Sequence, residues 1–362
     1  MEEYNGMGEQ KVNDRDLLTY SDYAEWSQDK LYELYWSAED KSVMNHYPPD
    51  QEKEKGLNYW WKAHAADAMT DGLERTNDRR YALRAEAIID GVFERNGSLF
   101  NEFYDDEEWM ALACLRLYDL TGSGKMKDYT LRLWEDIKTA WWEDEIGGLA
   151  WKKDDGRKSR NACCNGPAAI LAARLYQRFQ DESDLDWAKK IYAYEKKYLV
   201  DPRSGLVYDG MAVLEDGTLN INKAWLFTYN AGTYIGACAE LHRITKDSSY
   251  LAEAERTAGG SMELLVNEAG VLKSEGNGDG GLFKGILLRY LEQLYQINHD
   301  IKIAEFIKFN VRKLALEGSG TQGLFGPYWQ KKPDTPLDVT CQLSGVFLFE
   351  AAARIFGGDP LK

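Results

Sequence analysis

The densest cluster of groups able to do chemistry is Asn101-Glu102-Phe103-Tyr104-Asp105-Asp106-Glu107-Glu108-Trp109, in which four consecutive acids, Asp105 to Glu108, are framed by aromatic rings. Acids at a helix start commonly cap it and interact with the positive end of its dipole. Two neighbouring carboxyls can also serve glycoside hydrolysis, provided one stays ionised beside the anomeric carbon while the other holds a proton to donate. Consecutive helical residues project about 100° apart, so Asp105 and Asp106 at a helix start can address different atoms of one sugar. Spacing alone does not choose between cap and catalysis.

The composition bears on the ligand. With 44 Lys and Arg against 60 Asp and Glu, the formal charge is −16, which argues against a nucleic acid as partner. Uninterrupted apolar runs fall far short of a bilayer span, so no membrane partner is expected. Aromatic residues make up 13 % of the chain, with 12 Trp and 22 Tyr. That surplus fits a carbohydrate or other ring-shaped ligand, and fits a large aromatic core equally well. The start, Met1 to Gly6, lacks the basic and apolar regions of a secretory signal, so a cytoplasmic protein is expected. Five cysteines (Cys114, Cys163, Cys164, Cys238, Cys341) sit in apolar stretches and read as reduced core thiols. Four scattered histidines and the lack of CxxC or HExxH spacing lead us to expect neither a dedicated metal site nor a cofactor.

These residues must be positioned by helices. Apolar side chains recur at i, i+3, i+4 and i+7, and a helical-hairpin phrase repeats: LRLYDLTGSGKMKDY, ARLYQRFQDESDLDW, AELHRITKDSSYLAEA and EQLYQINHDIKIAEF. We place helices at 14–36, 57–74, 77–96, 107–122, 124–141, 161–180, 184–199, 228–245, 248–267, 280–297, 300–317 and 337–356. Short breaks alternate with connections of about ten to nearly thirty residues rich in Gly, Pro, Asn and Asp. Six hairpins with their long loops at one end make a single all-α domain over 1–362, an (α/α)6 barrel; an open solenoid of hairpins is the alternative. Small residues at Gly166-Pro167-Ala168-Ala169 and Gly232-Thr233-Tyr234-Ile235-Gly236-Ala237 suit a crowded inner ring. The loops and the starts of the inner helices then share one face, where function belongs.

The element Tyr104-Asp105-Asp106-Glu107, with Trp109 and Ala111, resembles the paired-aspartate motif of the endo-α-1,6-mannanases of glycoside hydrolase family 76, which are (α/α)6 barrels. Further matches follow in order: Trp60-Trp61, Gly147-Gly148-Leu149-Ala150-Trp151, Arg160-Asn161-Ala162 with Asn165, Phe227-Thr228-Tyr229-Asn230-Ala231-Gly232, and Phe283-Lys284-Gly285-Ile286. Each is weak by itself, but together they fall in register with the expected inner-helix starts over nearly the whole chain.

The resemblance implies a retaining hydrolase of α-1,6-linked mannosides, with Asp105 as nucleophile and Asp106 as general acid/base. It makes an oligosaccharide or polysaccharide the partner, and we expect a monomer. Tyr104 and Trp109 would wall the site, Trp60, Trp61, Trp151 and Tyr229 are candidate stacking surfaces, and Phe283 is a further expected substrate contact. Asn165 and Asn230 would bond sugar hydroxyls or cap helices, and Lys284 would hold a carboxylate or hydroxyl, since a lysine on an inner helix must pair. Two rivals are a sugar epimerase of the N-acylglucosamine 2-epimerase type, which would need histidines at the cleft, and a non-catalytic glycan-binding barrel. Gly276-Asn277-Gly278-Asp279-Gly280-Gly281 formally contains GxGxxG, but no strand precedes it, so it reads as a loop from which Asp279 could reach the cleft. The run Glu143-Asp144-Glu145 reads as a solvated helix end.

Overall fold

The computed structural model describes residues 18–153 and 159–361. Twelve α-helices account for most of them: α1 (Tyr20–Tyr35), α2 (Tyr59–Thr76), α3 (Arg79–Asn96), α4 (Tyr104–Thr121), α5 (Gly124–Lys138), α6 (Ala162–Phe179), α7 (Glu182–Tyr198), α8 (Thr228–Thr245), α9 (Ser248–Leu264), α10 (Gly280–Asn298), α11 (Ile301–Lys313) and α12 (Val339–Phe356). Residues 14–17 of the first expected helix lie outside the described residues. Helix α4 begins three residues ahead of the expected start, so Asp105 and Asp106 fall within its first turn and the loop before it shortens to 97–103.

The even-numbered helices form a closed inner ring, with α2 packed on α4, α4 on α6, and so on until α12 meets α2, while the odd-numbered helices lie outside. This is the (α/α)6 barrel. Ring closure excludes the open solenoid. Helix α12 is long and apolar enough to cross a membrane by composition, but it is a buried stave of this ring.

Outer and inner helices start differently. Four of the two-residue links pair a left-handed residue (Asn77, Gln180, Lys246, His299) with an aspartate whose carboxylate caps the next outer helix, as Asp78 accepts from Arg80 N at 2.8 Å and Asp247 from Ser249 N at 2.8 Å. Each such cap is worth about 1 kcal/mol, so these hairpins are written locally. None of the N-cap residues of the inner helices makes a side-chain cap bond. Remote groups hold their first amides instead. Tyr104 N donates to Trp151 O (3.0 Å), Ala162 N to Asp209 O (2.8 Å), Thr228 N to Glu275 Oε1 (2.8 Å) and Val339 N to Asn45 O (2.8 Å). The long loops thereby fix the ends of the helices that carry the site.

Over the same face, Ser159–Asn161, Gly210–Val213 and Leu219–Ile221 form a three-stranded antiparallel sheet with Asn161 opposite Gly210. A Cβ on Gly210 would stand 2.6 Å from Asn161 Oδ1, so glycine is required for this approach.

Candidate active site

A cleft of about 1150 Å³ opens at the loop end of the ring. Its walls hold Asp105, Asp106 and Trp109 from α4, Trp60 from α2, Tyr229 from α8 and Phe283 from α10. The loops add Phe103, Trp151, Asp209, Trp225 and Asp279, and Cys163 comes from the start of α6. Among the described residues no Lys, Arg or His lines it.

Asp105 and Asp106 differ in their partners. Asp105 accepts from the Trp151 indole (Nε1 to Oδ2, 3.2 Å) and from the backbone amide of Asp106 (3.1 Å), and the Cys163 thiol also bonds it. Burial pushes its carboxyl up to about 6, with those three donors pulling back. Asp106 receives no such relief. Burial first, then the charges of Asp105, Asp279, Glu107 and Glu102, all raise it well above the usual carboxylate range. The surroundings therefore favour the ionised form at Asp105 and the protonated form at Asp106.

The Trp151 loop is built for this contact. Gly147 and Gly148 adopt positive φ and pack against Trp141 and Tyr194, where a Cβ would come within 2.5 Å of either ring. Arg160 donates to Gly147 O (2.6 Å), pairs with Asp144 and lies over the Trp142 ring at 4.5 Å. Asp144 therefore braces the loop and is not part of a solvated helix end. Trp151 N bonds Ser159 O (2.9 Å), and its ring rests on Phe103 with centroids 5.0 Å apart.

Aromatic groups shape the rest. Tyr229 and Phe283 stack with centroids 4.0 Å apart at 11°, and Trp60 leans on Phe283 at 6.2 Å. Asp279 accepts from the indoles of both Trp60 (3.0 Å) and Trp61 (2.7 Å). Asp209 accepts from Asn230 Nδ2 (3.0 Å) and the Tyr229 hydroxyl (3.3 Å), and burial raises its pKa.

Five of the expected contact residues do not line the cleft. Tyr104 precedes the aspartates by a helical step of about 100°, so it points outward, with its hydroxyl at Thr139 Oγ1 (3.2 Å) and Lys153 over its ring. Trp61 is buried and reaches the site only through Asp279. Asn165 is buried, receives Leu149 N at 3.0 Å and donates to Asn161 O at 2.8 Å, tying the Trp151 loop to α6. Asn230 is buried and orients Asp209. Lys284 is buried, donates to Pro327 O and sits 4.3 Å from the centre of the Trp329 ring, so a carbonyl and a π face replace the expected carboxylate or hydroxyl.

Asp209 and Cys163 are cleft residues that the sequence reading missed. Asp209 carried no signal, because Tyr208-Asp209-Gly210 reads as a turn; Cys163 looked like a core thiol. The histidines are elsewhere: His46 pairs with Asp338, His242 bonds Asp247 O at the short-link end, His299 lies in a link, and His64 is buried beneath Trp109, its pKa lowered to about 3 by burial. An epimerase's imidazole is thus missing from the described cleft.

The model of glycosyl hydrolase family 76 matches residues 19–353. The α-1,6-mannanase of Salegentibacter sp. HEL1_6 is 42 % identical, with a TM-score of 0.88 over 93 % of this chain and 99 % of that one. A variant of that mannanase with two consecutive aspartates changed to alanine, described as inactive, has been solved with α-1,6-mannotetrose. A Listeria innocua protein is 36 % identical with a TM-score of 0.88, covering 93 % of this chain and 98 % of that one. The mannan endo-1,6-α-mannosidase DCW1 of Eremothecium gossypii is 26 % identical over 73 % of this chain, which spans only 61 % of that relative; for a putative mannan endo-1,6-α-mannosidase of Schizosaccharomyces pombe (25 % identical) the shares are 66 % and 59 %. With a matching family model over nearly its full length and a closed six-hairpin ring around an aspartate pair, this chain belongs to glycosyl hydrolase family 76.

Proposed function

We propose that the chain is a retaining glycoside hydrolase acting on α-1,6-linked mannosides, with Asp105 as nucleophile and Asp106 as general acid/base. The observation that carries this reading is the unequal solvation of the pair. Three donors favour an ionised Asp105, while burial and neighbouring charge keep the proton on Asp106. Those are the states that a double displacement requires before its first step.

Asp106 donates its proton to the glycosidic oxygen as Asp105 attacks the anomeric carbon, forming a glycosyl ester and releasing the leaving sugar. Asp106, now ionised, takes a proton from water, which attacks the ester from the face that the leaving sugar vacated. Two inversions give net retention. The Tyr229–Phe283 stack, Trp60, Trp109 and Trp151 offer ring surfaces to sugar C–H faces, and Asp209 and Asp279 offer acceptors to hydroxyls. The named activities of the Salegentibacter and fungal relatives support the choice of an α-1,6-mannoside.

Incubation with α-1,6-mannotetraose, followed by anomeric proton NMR in the first minutes, tests reaction and stereochemistry together. We expect cleavage with the α-anomer released first. Initial release of the β-anomer would make water the nucleophile and remove Asp105 from that role. Asp105→Asn and Asp106→Asn should each lower kcat by about 10⁴-fold or more with unchanged helical circular dichroism; a loss below about tenfold would remove that residue from the chemistry.

A further inference from the structure

Cys163 and Cys164 open α6, and the start of α4 places Asp105 against them. The two sulfurs and a carboxylate oxygen of Asp105 all lie within 4.8 Å of one another. Tetrahedral zinc–thiolate bonds of about 2.3 Å set neighbouring donor atoms about 3.8 Å apart, so side-chain rotation of about 1 Å closes the cluster on a metal. Cys163 and Asp105 line the cleft, which provides a path of entry for a cation. Asp106, Asp209 and Asp279 line the same cleft, and no described Lys or Arg opposes a cation there.

We propose that Asp105, Cys163 and Cys164 form a binding site for a thiophilic divalent cation of the zinc and cadmium class, and that its occupancy silences the enzyme. Two sulfurs and one oxygen select a soft cation over magnesium or calcium, which prefer all-oxygen shells. Binding exchanges the two thiol protons for the metal and releases them to solvent. The carboxylate oxygens of Asp105 are then held by the cation and cannot attack carbon, a consequence that rests on the nucleophile assignment above.

Titrating the whole chain with CdCl2 gives two independent readouts. The near-ultraviolet sulfur-to-cadmium absorption reports thiolate ligation whether or not the protein is active, and hydrolysis of α-1,6-mannotetraose reports blockade. We expect both to saturate together, MgCl2 to produce neither, and Cys163→Ala and Cys164→Ala each to weaken cadmium binding by at least about tenfold. Asp105→Asn, which keeps the side-chain shape, should retain the absorption band and weaken affinity; it decides the matter if a cysteine variant fails to fold. Absence of the band, a band that survives both cysteine replacements, or unchanged affinity in Asp105→Asn would overturn the site. A metal-free chain that leaves mannotetraose intact would count against the hydrolase reading alone, and the band would still decide the metal site.

Discussion

Asp105 and Asp106 share a peptide bond, a helix turn and a cleft, yet their surroundings divide one proton unequally between them. Attack needs Asp105 ionised, so kcat/KM should rise with pH through about 6, the value to which burial pushes that carboxyl. It should fall again at higher pH, where Asp106 loses the proton it must donate. The two limbs belong to the pair and not to either residue in isolation. The Trp151 indole is the most accessible handle on this balance. Trp151→Phe keeps a ring against Phe103 but removes one donor from Asp105, so the acid limb should move upward by about half to one pH unit, the worth of one hydrogen bond. A pH–rate profile checks it; an unmoved limb would mean that the indole only packs.

At the scale of helices, the inner ring is close-packed enough that single atoms count. A Cβ on Gly232 of α8 would stand 2.8 Å from Leu287 Cα of α10, backbone that cannot step aside by rotation. Gly232→Ala gains about 1 kcal/mol in helix propensity, but overpacking typically costs about 1–3 kcal/mol. We expect net destabilisation, measured as a lower urea midpoint with unchanged slope. On α7, Glu195 is buried with neither carboxyl oxygen hydrogen-bonded, and burial raises its pKa well above the usual range. The folded state thus binds a proton that the unfolded state releases, so stability is full below the unfolded carboxylate range and declines as pH rises above it. Glu195→Gln removes that decline: its Tm should exceed that of wild type at pH 8, and the gain should shrink toward pH 4. A gain independent of pH would mean that Glu195 is ionised in the fold.

For the molecule as a whole, the end opposite the cleft is tied by charge. Asp71 of α2 accepts from Arg116 of α4 (2.9 Å), from Arg289 of α10 (2.9 Å) and from Arg354 of α12, linking both sides of the seam where α12 meets α2. These guanidiniums outweigh burial and hold the Asp71 carboxyl below its ordinary range. Stability from this group is present at neutral pH and is lost as acid protonates it. Removing one partner from a buried ion cluster typically costs about 3–5 kcal/mol, so Asp71→Asn should lose about that much in denaturant unfolding at pH 7. The deficit should narrow as the pH falls below 4. Equal deficits at pH 7 and pH 3 would show that shape, and not charge, closes the ring.

The sequence by itself determined the helices, their pairing and the face that carries function. Those features are local: apolar spacing at 3.6 residues, an aspartate two residues before the capped amide in four of the short links, and loops that alternate in length. It also carried the Asp105-Asp106 pair and the aromatic surplus, because chemistry that needs adjacent carboxyls leaves them adjacent in the chain. Direction was not legible. Tyr104, Asn165, Asn230 and Lys284 stand within one turn of true cleft residues, but each helical step of about 100° turns a side chain toward a different neighbour, and only the packed ring decides which neighbour is there. Trp60 and Trp61 show the same division, one lining the cleft and the other buried behind Asp279. Asp209 and Cys163 entered the site only through tertiary structure, since the distance from each to Asp105 along the chain is spanned by helices whose return path is set by ring closure. The division of the proton between Asp105 and Asp106 belongs there too, because burial and donors brought from Trp151 and Cys163 exist only once the loops have folded over the inner helices.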